Sequence, residues 1–150
     1  MHQADPLRQS FELNKIAQEY AEILVKMNND SNEMVLEYSE RKQHNEVGEN
    51  FFFATGGRVQ RRLFNSIKNW YAQKEYFDFK TGLSTNIYSR TFTQLVWAST
   101  TEVGHGLAFS ADCKTVVIVA NYSPVGNIPG LYTKNVKPSI EDFQKEKTIF

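Results

Sequence analysis

A chain of 150 residues with 17 basic and 17 acidic side chains and 41% hydrophobic residues has the length of one domain, with enough apolar material for a core without metal or disulfide support. Its lone cysteine, Cys113, excludes an internal disulfide framework, and no apolar run approaches the roughly 18 residues needed to cross a bilayer. The start, "MHQADPLRQSF", lacks the apolar core of a leader peptide and, with His2 in place of glycine, cannot be N-myristoylated. A soluble chain in a reducing compartment is expected. The balanced charge is unevenly spread: residues 1–50 carry ten acids against five bases, whereas residues 51–90 carry seven bases against Glu75 and Asp78. A basic middle of this kind can face an anionic surface or simply form a solvated helix face.

In chain order, Leu13, Ile16, Ala17, Tyr20, Leu24 and Met27 recur at three- and four-residue spacings, which predicts an amphipathic helix over 10–28. Asn28 to Ser31 supply the turn chemistry to end it. A second helix is predicted over 57–75, entered at Gly56 and Gly57, with Val59, Leu63, Ile67, Trp70 and Tyr71 inward and Arg58, Arg61, Arg62, Asn65 and Asn69 outward. Polar "FDFKTGLSTNIYS" (77–89) reads as a loop, and "RTFTQLVWAST" (90–100) as a short helix. "HGLAF" (105–109) and "KTVVIVANYS" (114–123) read as neighbouring strands joined by a turn around Cys113. Pro124, Gly126, Pro129, Gly130 and Pro138 mark a loop, and residues 139–150 read as a charged tail or short helix. Helices followed by strands, without regular alternation, predict an α+β fold in a single domain.

Several stretches together resemble the CAP superfamily of cysteine-rich secretory, antigen-five and pathogenesis-related proteins. They are "LNKIAQEYAEIL" (13–24), "GEN" (48–50), "WY" (70–71), "TFTQLVWAST" (91–100), "GHGLA" (104–108) and "ANYSPVGN" (120–127). Ala120, where secreted members carry cysteine, is similar to the Golgi-associated, plant-pathogenesis-related subgroup. The resemblance implies a three-layer α-β-α sandwich around a central antiparallel sheet, and a cytosolic position at the Golgi membrane surface. An extracellular one is implied instead if a leader precedes residue 1. "HQADPL" (2–7) resembles the link that follows the family's first helix, so that helix is expected to be missing and an apolar patch left open to a partner or a second copy.

Many members of this family hold two histidines and two glutamates in a cleft, a set suited to a divalent metal. Matched by motif, these positions fall on Tyr38, Glu49, Gln73 and Thr91. Neutral Tyr, Gln and Thr side chains are weak metal ligands and are not general bases near neutral pH, so no metal, no cofactor and no catalytic residue are expected. The expected function is that of a non-catalytic domain binding an anionic lipid or sterol-like ligand, a membrane surface, a protein partner or a second copy. Arg58, Arg61, Arg62 and Lys68 are the candidate contacts to an anionic surface. The alternative is a hydrolase pairing Glu49 with His44. Nucleic acid is not expected, because Trp70 and Tyr71 fall on the apolar side of the basic helix. Glu49 and His105 also have structural readings, as a loop anchor and as a packed or hydrogen-bonded residue at a strand start. "FFFA" (51–54) reads as core packing, and Asn121 of the sequon Asn121-Tyr122-Ser123 as buried.

Overall fold

The computed structural model describes residues 2–30, 37–55 and 59–142. Ser31, Gly56, Gly57, Arg58 and the tail beyond residue 142 lie outside them. Strand β1 (Arg8–Gln9) leads into helix α1 (Phe11–Asp30), short helix α2 (Glu40–Gln43), strand β2 (Gly48–Thr55) and helix α3 (Val59–Ala72). A 3-10 turn (Gln73–Tyr76) then precedes helix α4 (Ser89–Leu95), strands β3 (Glu102–Phe109) and β4 (Thr115–Ser123), and helix α5 (Tyr132–Asn135). The sheet order is β1-β3-β4-β2. It is antiparallel across β3, β4 and β2, as expected, but the two-residue β1 joins β3 in parallel, making the sheet mixed. Helix α1 covers one face and α3 with α4 the other, which gives the three layers.

Helix α1 begins where the Ser10 hydroxyl accepts the Leu13 amide at 3.4 Å, a capping interaction that satisfies one of the first-turn donors. It runs on to Asp30, two residues past its expected end and into the expected turn. Its fully buried row is Leu13, Ala17, Ala21 and Leu24, and Ala17, Ala21 and Leu24 pack against Val117 and Val119 of β4. Two glycines of β3 set its distance from the sheet. A Cβ on Gly104 would lie 2.1 Å from the Leu13 carbonyl carbon, and one on Gly106 would lie 2.2 Å from that of Ala17. This approach lets side chains of α1 reach the outer backbone of β3. Asn14 Oδ1 accepts the His105 amide at 2.8 Å, Gln18 Oε1 accepts the Leu107 amide at 2.9 Å, and Gln18 Nε2 donates to the Leu107 carbonyl at 3.0 Å. The His105 side chain itself is exposed and not packed, and the hydrogen bond at this residue is made by its amide.

The motifs around "FTQ" meet at Gln94, which is buried between Gly48 and Gly126. Its side chain donates to Thr100 Oγ1 at 3.2 Å and accepts the Gly126 amide at 3.0 Å. Three stretches distant in sequence are thereby fixed by one carboxamide, with no room for a Cβ at either glycine.

Helix α3 corrects the expected orientation. Arg62, Ser66 and Trp70 form its buried row, whereas Leu63, Phe64 and Ile67 are 39%, 62% and 49% exposed. The indole decides the rotation: Trp70 Nε1 donates to the Phe51 carbonyl of β2 at 3.1 Å, and residues four and eight positions earlier follow it inward. Arg62 is thus withdrawn from the surface and is not an anionic-surface contact, while Arg61 and Lys68 remain exposed. "FFFA" is part of a strand of the sheet, with Phe51, Phe52 and Phe53 half-buried. Asn121 is fully buried, so its sequon is closed to modification.

His2 joins the chain's start to its end. Its Nδ1 faces the Lys137 carbonyl at 2.7 Å and its Nε2 the Tyr71 hydroxyl at 2.8 Å, and the ring stacks on Phe79. Because a carbonyl only accepts, Nδ1 carries the proton and Nε2 accepts from Tyr71. Burial holds this imidazole below the ordinary histidine range, against the opposing pull of the Lys137 carbonyl. A base whose folded pKa is depressed binds fewer protons folded than unfolded. Its share of stability is therefore whole above the unfolded value of about 6.5 and is lost as the pH falls toward the lowered folded value. Urea denaturation between pH 7.5 and 5 is expected to show this decline. His2→Phe is expected to flatten it, and an unchanged slope in that variant would refute the assignment.

Candidate functional site

Tyr38, Gln73 and Thr91 line one cleft of about 560 Å³, together with Phe51, Phe52, Phe53, Asn69, Trp70, Ile87 and Tyr88. Each wall comes from a different element: β2 gives the phenylalanines, α3 and the 3-10 turn give Trp70 and Gln73, and the approach to α4 gives Ile87 and Tyr88. The Tyr38 ring lies 5.2 Å from that of Phe51. Burial, and after it the charge of Glu49, pushes the Tyr38 phenol above its ordinary range, so at neutral pH it is a protonated hydrogen-bonding group. Thr91 Oγ1 donates to the Tyr88 carbonyl at 2.9 Å, and the Thr91 carbonyl accepts from Asn50 Nδ2 at 2.9 Å. Gln73 Nε2 donates to the Asn69 carbonyl at 3.3 Å.

Glu49 sits behind this cleft, 3% exposed. Its Oε1 accepts the Ser39 amide at 2.9 Å, and its Oε2 accepts the Ser39 hydroxyl at 2.7 Å and Asn121 Nδ2 at 2.9 Å. A carboxylate with three donors is an anchor for the segment that carries Tyr38. His44 is exposed at the C-terminal end of α2, and the hydrogen-bond partners of Glu49 are Ser39 and Asn121, so the structure does not bring the proposed Glu49–His44 pair together.

The cleft does not suit a divalent metal. Its polar groups are a phenol, carboxamides and a hydroxyl, the oxygens of Glu49 are engaged, and among the described residues no three His, Cys, Asp or Glu side chains converge. Sequence reasoning located three of the lining positions but missed Asn69, Ile87 and Tyr88. Ile87 and Tyr88 were hidden in a stretch read as a polar loop, although their apolar side chains beside a helix start were the available signal.

The family model for the cysteine-rich secretory protein (CAP) family matches residues 1–122. The chain belongs to the CAP family. This CAP chain is 33% identical over 143 residues to Golgi-associated plant pathogenesis-related protein 1 of Homo sapiens, a match covering 91% of this chain and 83% of that protein. It is 30% identical to pathogenesis-related protein PRMS of Zea mays over 61% of this chain and 56% of that one. Its fold is similar to a crystal structure of NaASP2 with Zn2+, with a TM-score of 0.64 at 21% identity, covering 92% of this CAP chain and 70% of that one. The α+β sandwich expected from the motifs is thus the fold of CAP proteins. No helix among the described residues of this CAP chain is long and apolar enough to cross a membrane.

Proposed function

We propose that this CAP chain is a non-catalytic binding module whose cleft takes a neutral, sterol-like amphiphile. One observation carries the reading. Three of the four positions matched to metal ligands elsewhere in the family, Tyr38, Gln73 and Thr91, are here uncharged hydrogen-bonding groups at a cleft walled by Phe51, Phe53, Trp70, Ile87 and Tyr88. Such walls bury a flat apolar body, and a few polar groups orient a single hydroxyl. Among the described residues the cleft lining includes no carboxylate or imidazole in position to activate water, which supports binding over hydrolysis. The relative named as Golgi-associated supports a place near a membrane where such ligands reside.

The test is titration with a fluorescent sterol alongside zinc calorimetry. Saturable sterol binding is expected, weakened at least about tenfold by Thr91→Trp, equivalent to a loss of about 1.4 kcal/mol, because the indole fills the cleft. Zinc heat is expected only in the Tyr38→His, Gln73→Glu, Thr91→His triple variant. Zinc binding by the parent, or sterol binding indifferent to Thr91→Trp, would overturn the reading.

A further inference from the structure

The aromatic cluster behind the ligand cleft is closed by one titratable ring. His2 is 3% exposed and touches three elements at once. Its ring lies edge-on to Tyr71 of α3 at 5.5 Å and to Phe92 of α4 at 5.4 Å, and stacks on Phe79 of the intervening loop at 6.2 Å. Tyr71 and Phe92 in turn meet at 5.6 Å. The cleft is built on the same elements: Trp70 and Gln73 on one wall flank Tyr71 in sequence, and Thr91 on the other directly precedes Phe92. A movement that parts Tyr71 from Phe92 therefore parts the walls of the cleft.

We propose that His2 is the pin of an acid-operated latch on this cleft: protonation of its imidazole loosens α3 from α4 and releases the bound amphiphile, a device that rests on the sterol-like reading given above. The neutral ring suits its site and the cation does not. With Nδ1 donating to the Lys137 carbonyl and Nε2 accepting from the Tyr71 hydroxyl, both ring nitrogens are engaged. A proton added to Nε2 sets N–H against O–H, so the Tyr71 hydroxyl has to turn away. It also creates a buried charge, which is costly without a counterion. The charged groups facing the ring are Lys74 in the 3-10 turn, the chain's own amino group and Asp142 beyond α5. The first two repel the cation. Asp142 attracts it, but its Oδ1 already accepts from Lys74 Nζ at 2.8 Å, and its Oδ2 accepts the Ser139 amide and hydroxyl at 2.9 and 2.7 Å. The closed state thus binds fewer protons than the open one, so the latch holds above the ordinary histidine value of about 6.5 and gives way as the pH falls below it.

Titration with the fluorescent sterol at intervals from pH 7.5 to 5, for the full chain and for His2→Gln, tests this. Glutamine keeps one donor and one acceptor but does not titrate. The parent's affinity is expected to fall about tenfold, within the usual range for coupling between two sites, and that of His2→Gln to change less than about twofold. The fall should follow the titration of the His2 imidazole itself by NMR, with circular dichroism showing the fold intact. Amide exchange gives a readout without ligand. After correction for intrinsic exchange, the Phe77 and Thr91 amides, bonded to the Lys74 and Tyr88 carbonyls, should lose protection at pH 5 in the parent and keep it in the variant. No sterol binding at any pH would refute the sterol-like reading, and the latch would then stand or fall on amide exchange. An affinity independent of pH, equal losses in parent and variant, protection unchanged at pH 5, or release that comes only with global unfolding would overturn the latch.

Discussion

Gly106→Ala is expected to destabilise the domain by about 3 kcal/mol or more, the upper part of the range for overpacked interiors. The new Cβ would fall 2.2 Å from the carbonyl carbon of Ala17 and 2.3 Å from its oxygen. Those are backbone atoms of a 20-residue helix, so no side-chain rotation relieves the contact. Helix α1 has to lift from β3, and in lifting it draws Gln18 away from the Leu107 amide and carbonyl. The loss should appear as a fall in melting temperature of roughly 6–12 °C, at 2–4 °C per kcal/mol for a chain of this size. Faster amide exchange at His105 and Leu107 should accompany it. A variant within 1 °C of the parent, with those amides still protected, would show that α1 is not held at the distance the glycines impose.

Glu49→Ala is expected to cost at least about 3 kcal/mol, because it strands the Ser39 amide, the Ser39 hydroxyl and the Asn121 carboxamide in a buried site, at about 1 kcal/mol or more for each unsatisfied group. Glu49→Gln should fall between the parent and the alanine variant, since a carboxamide keeps one acceptor oxygen and turns an N–H toward groups that themselves donate. Ligand binding should decline with the same order, because Tyr38 is the neighbour of Ser39 and loses its support when that segment loosens. Denaturant midpoints for the three proteins, with sterol titrations on each, separate this anchoring role from a chemical one. Intact stability with abolished binding in Glu49→Gln would assign the carboxylate to the ligand instead.

The parts of the fold that were legible in the sequence are those in which one repeating pattern decides the outcome. The three- and four-residue spacing of α1 and the dense Val-Ile run of β4 identify their own secondary structure. Helix α3 was legible as a helix but not in rotation. Leu63, Ile67 and Tyr71 form a more apolar row than Arg62, Ser66 and Trp70, and what turns the second row inward is an indole hydrogen bond to a carbonyl of another strand. Strand β2 gave no alternating pattern, since Phe51, Phe52 and Phe53 are consecutive and contribute to both faces of the sheet. At the cleft, motif order placed Tyr38, Gln73 and Thr91, whereas the position of the exposed Ile87 and Tyr88 at its rim depends on how the chain enters α4. His2 had no local signal, because its partners stand 69 and 135 residues away.

The side-chain hydrogen bonds at the two margins of the sheet have a consequence for behaviour in a crowded solution. Edge strands normally offer open amides and carbonyls on which a stray strand can assemble. Asn14 and Gln18 occupy those groups on β3, and Trp70 occupies the Phe51 carbonyl on β2. The β3 margin is thereby closed to a stray strand at His105 and Leu107, and the β2 margin at Phe51, with the protein's own side chains acting as the stoppers.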